Sequence, residues 1–205
     1  MRAPLRSNTY GKGRLPRPFL YGAAIVRPKA RVMRWGDCAD PDAARAEIEA
    51  IFFEASNTKS FATEAARAQF CERWLGRYLT CDADKVYVAP DSDGAVIGYL
   101  AGSFDDPART PRFSDIPYFA ELADLTQHYP AHLHVNLSPV ARGQSIGSDL
   151  VRAFAAAAAA AGLPGVHVVT SANARNVSFY KRLGFLERRR FPFKGHDLVF
   201  LGRDL

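Results

Sequence analysis

Apolar residues recur at helical spacing twice in the first half of the chain. Ala44, Ile48, Ile51 and Phe52 form one stripe, preceded by Asp40-Pro41. An Asx cap followed by proline at the first helical position is a good helix start. This predicts a helix that fades before the polar Ser56-Asn57-Thr58, and a second helix burying Phe61, Ala65, Phe70, Trp74 and Tyr78. A first strand is predicted at residues 30–34. Residues 86–88 and 96–100 are short β-branched runs on either side of Asp91-Ser92-Asp93-Gly94, the pattern of a hairpin.

From residue 104 to 129 the pattern is irregular, except for a predicted helix opening at Asp115-Ile116-Pro117 with Phe119, Leu122 and Leu125 inward. A strand at 132–137, a turn at Ser138-Pro139 and a helix at 145–161 follow; the helix contains seven consecutive alanines and stops at Gly162. Residues 166–170 predict a buried strand, 174–183 a helix stopped by Gly184, and 198–201 a last strand. Strands and helices mingle, so the class is α/β or α+β, with a strand–helix–strand unit between 132 and 170.

The 205 residues suit one well-buried domain. No apolar run is long enough to span a membrane. Cys38, Cys71 and Cys81 lack CxxC spacing, which argues against a disulfide scaffold or zinc site and for a reducing, cytoplasmic setting. The net charge of +6 resolves into two parts. Nine of the 27 basic residues fall in 1–34, which hold no acid, so 18 bases face 21 acids in the remainder. Residues 1–29 therefore read as a basic, Pro- and Gly-containing arm, and 30–205 as the domain. The arm is either a solvated leader or a contact for an anionic surface. No aromatic-interleaved basic pattern follows it, which disfavours nucleic acid as a partner.

The chemistry concentrates after residue 137. In Leu137-Ser-Pro-Val-Ala-Arg142-Gly143-Gln144-Ser145-Ile146-Gly147 a strand ends, the chain turns through small residues, and a helix begins. Converging backbone N–H groups and a helix N-terminus hold a diphosphate without metal, and Arg142 can add a charge-assisted contact. The same glycines also serve a plain turn. The loop is neither a P-loop nor a dinucleotide fingerprint. About thirty residues later stands Asn173-Ala-Arg-Asn176-Val-Ser-Phe-Tyr180-Lys-Arg-Leu-Gly184-Phe185.

Together the two segments resemble motifs of the GNAT superfamily of acyl-CoA-dependent N-acyltransferases. Arg142 and Gly147 match its R/Q-x-x-G-x-G/A loop; Asn173, Tyr180, Gly184 and Phe185 match its N-x6-Y-x3-G-F segment. The resemblance covers roughly residues 30–205. It implies a mixed, mostly antiparallel sheet with a splayed parallel strand pair and flanking helices. It also implies acetyl-CoA (coenzyme A) as cofactor and a primary amine as acceptor. Backbone groups of Val135, Asn136 and Leu137 would pair with pantetheine. The pyrophosphate would sit on amides of Arg142, Gly143, Gln144, Ser145, Ile146, Gly147 and Ser148, and Asn173 and Asn176 would touch the cofactor. Tyr180 would lie near the sulfur and protonate it, or be a core aromatic with a tethered hydroxyl.

Two departures matter. Ser145 replaces the loop's usual first glycine. The strand where relatives often carry a carboxylate reads Ala131-His-Leu-His-Val-Asn136, so either His132 or His134 acts as base, or both are structural. No metal is expected. The insertion at 104–130, with the histidines, is similar to the acetyltransferase-like domain attached to some O-GlcNAc hydrolases. Asp105, Asp106, Asp115 and Glu121 there can attract a cation. The reading is an N-acetyltransferase that is open to homodimer formation; the alternative is a pseudo-enzyme that binds acyl-CoA as a sensing or interaction module.

Overall fold

Asp40 begins the first helix as its sequence predicts: its carboxylate accepts from the Ala43 amide at 2.9 Å, and α1 runs Pro41–Ala55 with Ala44, Ile48, Ile51 and Phe52 buried. The computed structural model describes residues 31–205, and the predicted arm at 1–29 lies outside them. The predicted first strand shortens to β1, Met33–Arg34. The second helix is broken in three. Thr63 caps α2, Glu64–Cys71, a π turn covers Glu72–Gly76, and α3 is Arg77–Cys81. The π turn slips the helical phase, so Leu75, Tyr78 and Leu79 face the core while Ala65 is exposed and Phe61 precedes the helix.

The hairpin forms as β2, Tyr87–Pro90, and β3, Val96–Ser103. Next come α4, Tyr118–Glu121, and α5, Ala123–Thr126, two short turns in place of one predicted helix. Then follow β4 (Ala131–Leu137), α6 (Ile146–Ala160), β5 (Gly165–Ser171), α7 (Asn176–Arg182), β6 (Leu186–Phe193) and β7 (His196–Asp204). β6 escaped the sequence reading because Arg188-Arg189-Arg190 and Pro192 hide any alternation. It is an edge strand, where proline and charge are tolerated and discourage further pairing. Lys194 and Gly195 both have positive φ, 49° and 78°, as the two-residue turn into β7 demands.

The seven strands make one sheet, β1-β2-β3-β4-β5-β7-β6, antiparallel throughout except for the β4–β5 pair. Its faces follow the period of two. Tyr87, Ala89 and Leu100 join α6 in one core; Val86, Val88, Tyr99 and Ala101 join α1, α3 and the insertion in the other.

The insertion is pinned by charge. Asp115 accepts from Arg73 and Arg77 at 2.8 Å, and Arg112 reaches buried Asp82 at 2.6 Å and Asp105 at 3.1 Å. Asp106 pairs with Arg109. Asp105, Asp106 and Asp115 are thus held by arginines of the same chain instead of waiting for a cation. Gly102 lets β3 approach α6: a Cβ there would stand 2.5 Å from the Phe154 ring and 2.6 Å from the His132 carbonyl oxygen of β4. Gly102→Ala is expected to cost about 2 kcal/mol, seen as a melting temperature lowered by about 5 °C; an unchanged melt would contradict this packing.

Candidate functional site

β4 lies beside β3 along its whole length, from Gly98↔Leu137 to Ser103↔His132. With β5 it pairs at only two positions, Ala131↔Val166 and His132↔His167, and then the strands part. β5 meanwhile pairs with β7 from end to end. The edge of β4 after His132 is therefore a row of backbone donors and acceptors without strand partners, facing a gap. Such groups are costly to leave unmatched and are ready for a ligand that supplies peptide-like bonds.

A cavity of about 270 Å³ fills this gap. Val135, Asn136 and Leu137 form one wall, Arg142 and Gly147 its loop end, and Asn176, Phe179 and Tyr180 the α7 side. The structure thus brings together seven of the residues singled out from sequence. Asn176 is held by Thr170, whose hydroxyl donates to its Oδ1 at 3.1 Å. Asn173 is exposed in the turn before α7 and lines no part of this cavity.

The loop at the mouth has the shape of an anion site. Pro139–Ala141 forms a single helical turn, Gly143 has φ 76°, and Ser145 has φ 63° and ψ 0°. Ser145 therefore does occupy a left-handed conformation suited to glycine, at a cost of about 1 kcal/mol. Among the described residues, the amides of residues 143–148 donate to no other group. They open onto the N-terminus of α6, where the helix dipole favours negative charge. Gly143, Gln144 and Ser145 are exposed, Ile146 is buried beneath them, and Ser148 is half-buried. Arg142 is exposed and makes no ion pair among the described residues.

Tyr180 is buried between Phe179 and Phe185, with ring centroids at 5.0 and 5.4 Å. Burial pushes its phenol well above the ordinary value, so it stays protonated.

The histidines separate. His134 is half-buried, with its Nε2 3.3 Å from the Tyr78 hydroxyl and its ring edge-on to Trp74. Burial, with a smaller effect of Arg77, lowers its pKa to about 4. His132 lies deeper, enclosed by Tyr78, Phe113 and Phe119 and stacked on His167 at 5.5 Å. Its Nε2 has no partner, and burial drives its pKa well down. It lines neither cavity at this site.

A second cavity, about 440 Å³, adjoins the first, and both are lined by Ala55 and Asn136. His134 lies in its wall, with Trp74, Tyr118 and Phe193 among its neighbours. Asn136 is fixed where the two meet, its Nδ2 donating to the Tyr99 hydroxyl at 2.8 Å. Sequence reasoning missed this second chamber. Phe52, Phe70 and Trp74 read as ordinary helix interior, and Phe193 belongs to the strand that was not seen. Among the described residues, no group of three or more His, Cys, Asp or Glu is placed to hold a metal ion. No helix among them is long and apolar enough to cross a membrane.

A profile of the Acetyltransferase (GNAT) family matches residues 43–185. The chain is also similar to solved structures. One, titled SsHAT, is 22% identical with a TM-score of 0.63, covering 86% of this chain and 98% of that one. A GCN5-related N-acetyltransferase from Kribbella flavida is 20% identical with a TM-score of 0.59 and the same coverage. A GNAT superfamily phosphinothricin acetyltransferase from Sinorhizobium meliloti, crystallised with AcCoA, is 23% identical with a TM-score of 0.58, covering 86% of this chain and 89% of that one.

Proposed function

Because the chain belongs to the acetyltransferase (GNAT) family, we propose that it transfers the acetyl group of acetyl-CoA to a primary amine by direct attack. Acetyl-CoA is the cofactor that membership in this family brings. The observation carrying the reading is the parting of β4 from β5 over a slot that ends at unpaired loop amides. The slot fits such a group: a Cβ on Gly147 would touch Leu137 and Phe179 at 3.4 Å, so the glycine keeps the passage open. The edge of Val135, Asn136 and Leu137 would hold the pantetheine amides. The amides of residues 143–148 and the Arg142 side chain would hold the diphosphate, the Arg142 amide being turned to the Pro139 carbonyl instead.

When bound, acetyl-CoA supplies a thioester carbonyl open to an amine and a thiolate leaving group. A backbone N–H at the Leu137 end of the strand donates to the oxygen that gains charge. Tyr180, kept neutral by burial, donates its proton to the departing sulfur. His134, positioned by the contact between its Nε2 and the Tyr78 hydroxyl, accepts the proton the amine sheds. Its pKa of about 4 makes it a weak base. That suffices here, because an amine bonded to an acyl carbon is far more acidic than a free ammonium ion.

The absence of any Asp or Glu from both cavities supports the second reading, an acyl-CoA-binding module without transfer. Thiol release from acetyl-CoA in the presence of a primary amine separates the two. With Tyr180→Phe the turnover is expected to fall about 10²-fold while the KM for acetyl-CoA changes less than threefold. Full activity in that variant would remove the acid role, and thiol release at the background rate would favour the binding module.

A further inference from the structure

The 440 Å³ cavity is within the ordinary size of a small-molecule site. Five aromatic rings, Phe52, Phe70, Trp74, Tyr118 and Phe193, face it, joined by the aliphatic Val169 and Leu198. Its polar groups lie at two ends: Ser56, Asn57 and Thr58 on the loop after α1, and His134 with Asn136 where it meets the cofactor slot. No Asp, Glu, Lys or Arg lines it. Of the nearby charges, Asp115 takes both Arg73 and Arg77, and exposed Lys194, over the Phe193 ring, is not part of the lining. A carboxylate, phosphate or second ammonium group on an acceptor would enter this chamber without a counter-charge, and would lose its hydration for nothing. A peptide would bring backbone amides that these rings cannot satisfy.

We infer that the acceptor is a small primary amine carried on an uncharged aromatic or branched aliphatic body, held among these rings with its nitrogen toward Asn136 and His134. The inference rests on the transfer reading above. It also bears on the missing carboxylate. An apolar chamber disfavours the ammonium form by desolvation, so it selects the neutral amine from solution and leaves His134 only the later, easier proton. Tyr118 does not compete for that proton, since burial keeps its phenol neutral. His134, whose faces meet Trp74 and Tyr78 with Arg77 and His132 beyond, is the sole imidazole lining the chamber.

The experiment compares 2-phenylethylamine and isoamylamine with phenylalanine, putrescine, glucosamine and an N-terminally free peptide, using acetyl-CoA as donor and free thiol as readout. Binding of 2-phenylethylamine is followed in parallel by quenching of Trp74 fluorescence, with Trp74→Phe as the blank. The expected result is kcat/KM at least tenfold higher for the two apolar amines. For them kcat/KM should also rise about tenfold per pH unit toward the amine's own pKa. Phe193→Glu, at the end of a hairpin, should lower the 2-phenylethylamine value at least tenfold and raise that of putrescine. Quenching without thiol release from any amine would leave the acceptor class standing and overturn acetyl transfer. Preference for the charged amines, the sugar or the peptide would overturn the acceptor class, as would the absence of both quenching and release.

Discussion

Gly147→Glu should abolish acetyl-CoA binding, raising the dissociation constant more than a thousandfold in a calorimetric titration. The position has no room and the wrong field for a carboxylate. A bare Cβ already meets the Leu137 and Phe179 side chains at 3.4 Å, so four further heavy atoms would have to extend into the slot between them. There the charge would oppose a diphosphate at close range in a partly desolvated site. A thousandfold loss is about 4 kcal/mol, which steric blockage and repulsion together supply. Gly147→Ala, which needs only a few tenths of an ångström from its neighbours, should weaken binding tenfold or less. A thermal melt of each variant separates lost binding from lost fold. Unchanged affinity in a folded Gly147→Glu protein would remove this loop from the cofactor site.

The second large effect is on stability in mild acid. His132 and His167 face each other across the last paired position of β4 and β5, and His167 stacks on Phe200 at 4.5 Å. In an unfolded chain both would take up protons near pH 6.5. In the native state burial holds His167 neutral down to about pH 4, although its bond to the Tyr129 carbonyl pulls the other way, and burial likewise holds His132 well below its ordinary value. Between pH 6.5 and 4 the unfolded state therefore binds more protons, and stability falls as the pH falls. A shift from 6.5 to about 4 is worth about 3 kcal/mol for His167 alone. With His132 added, the loss is a large part of a typical total of about 5–15 kcal/mol. Urea midpoints at pH 7, 5.5 and 4.5 should drop steeply, and His167→Phe should flatten the decline. Equal midpoints from pH 7 to 4.5 would contradict the burial of these rings.

Local signals carried much of this protein. Asp40-Pro41, the hairpin around Gly94 and the Arg142–Tyr180 motifs each act over a few residues, so they read directly from the chain and led to the slot beside β4. What stayed hidden depends on distant partners. β6 is held by its ladder with β7 and by pairs such as Arg188–Asp204 and Arg189–Asp124, not by an alternation of its own. The second helix looked continuous because a π turn leaves composition unchanged while moving Ala65 outward. His132 and His134 share a strand face, and only the third dimension shows one walled in by Phe113, Phe119 and His167 and the other at the chamber wall. The chamber itself joins α1, α2, the insertion and the final hairpin, and no window of sequence contains it.

The two-residue junction between β4 and β5 gives the sheet a mechanical character of its own. It is two panels, four strands and three, meeting at a short seam whose rigidity depends on buried imidazoles at one end and on whatever fills the slot at the other. A ligand that bonds to both edges would complete the interrupted ladder. Occupancy and the cooperativity of unfolding then become linked quantities, with the empty protein able to yield along the seam before the panels themselves open.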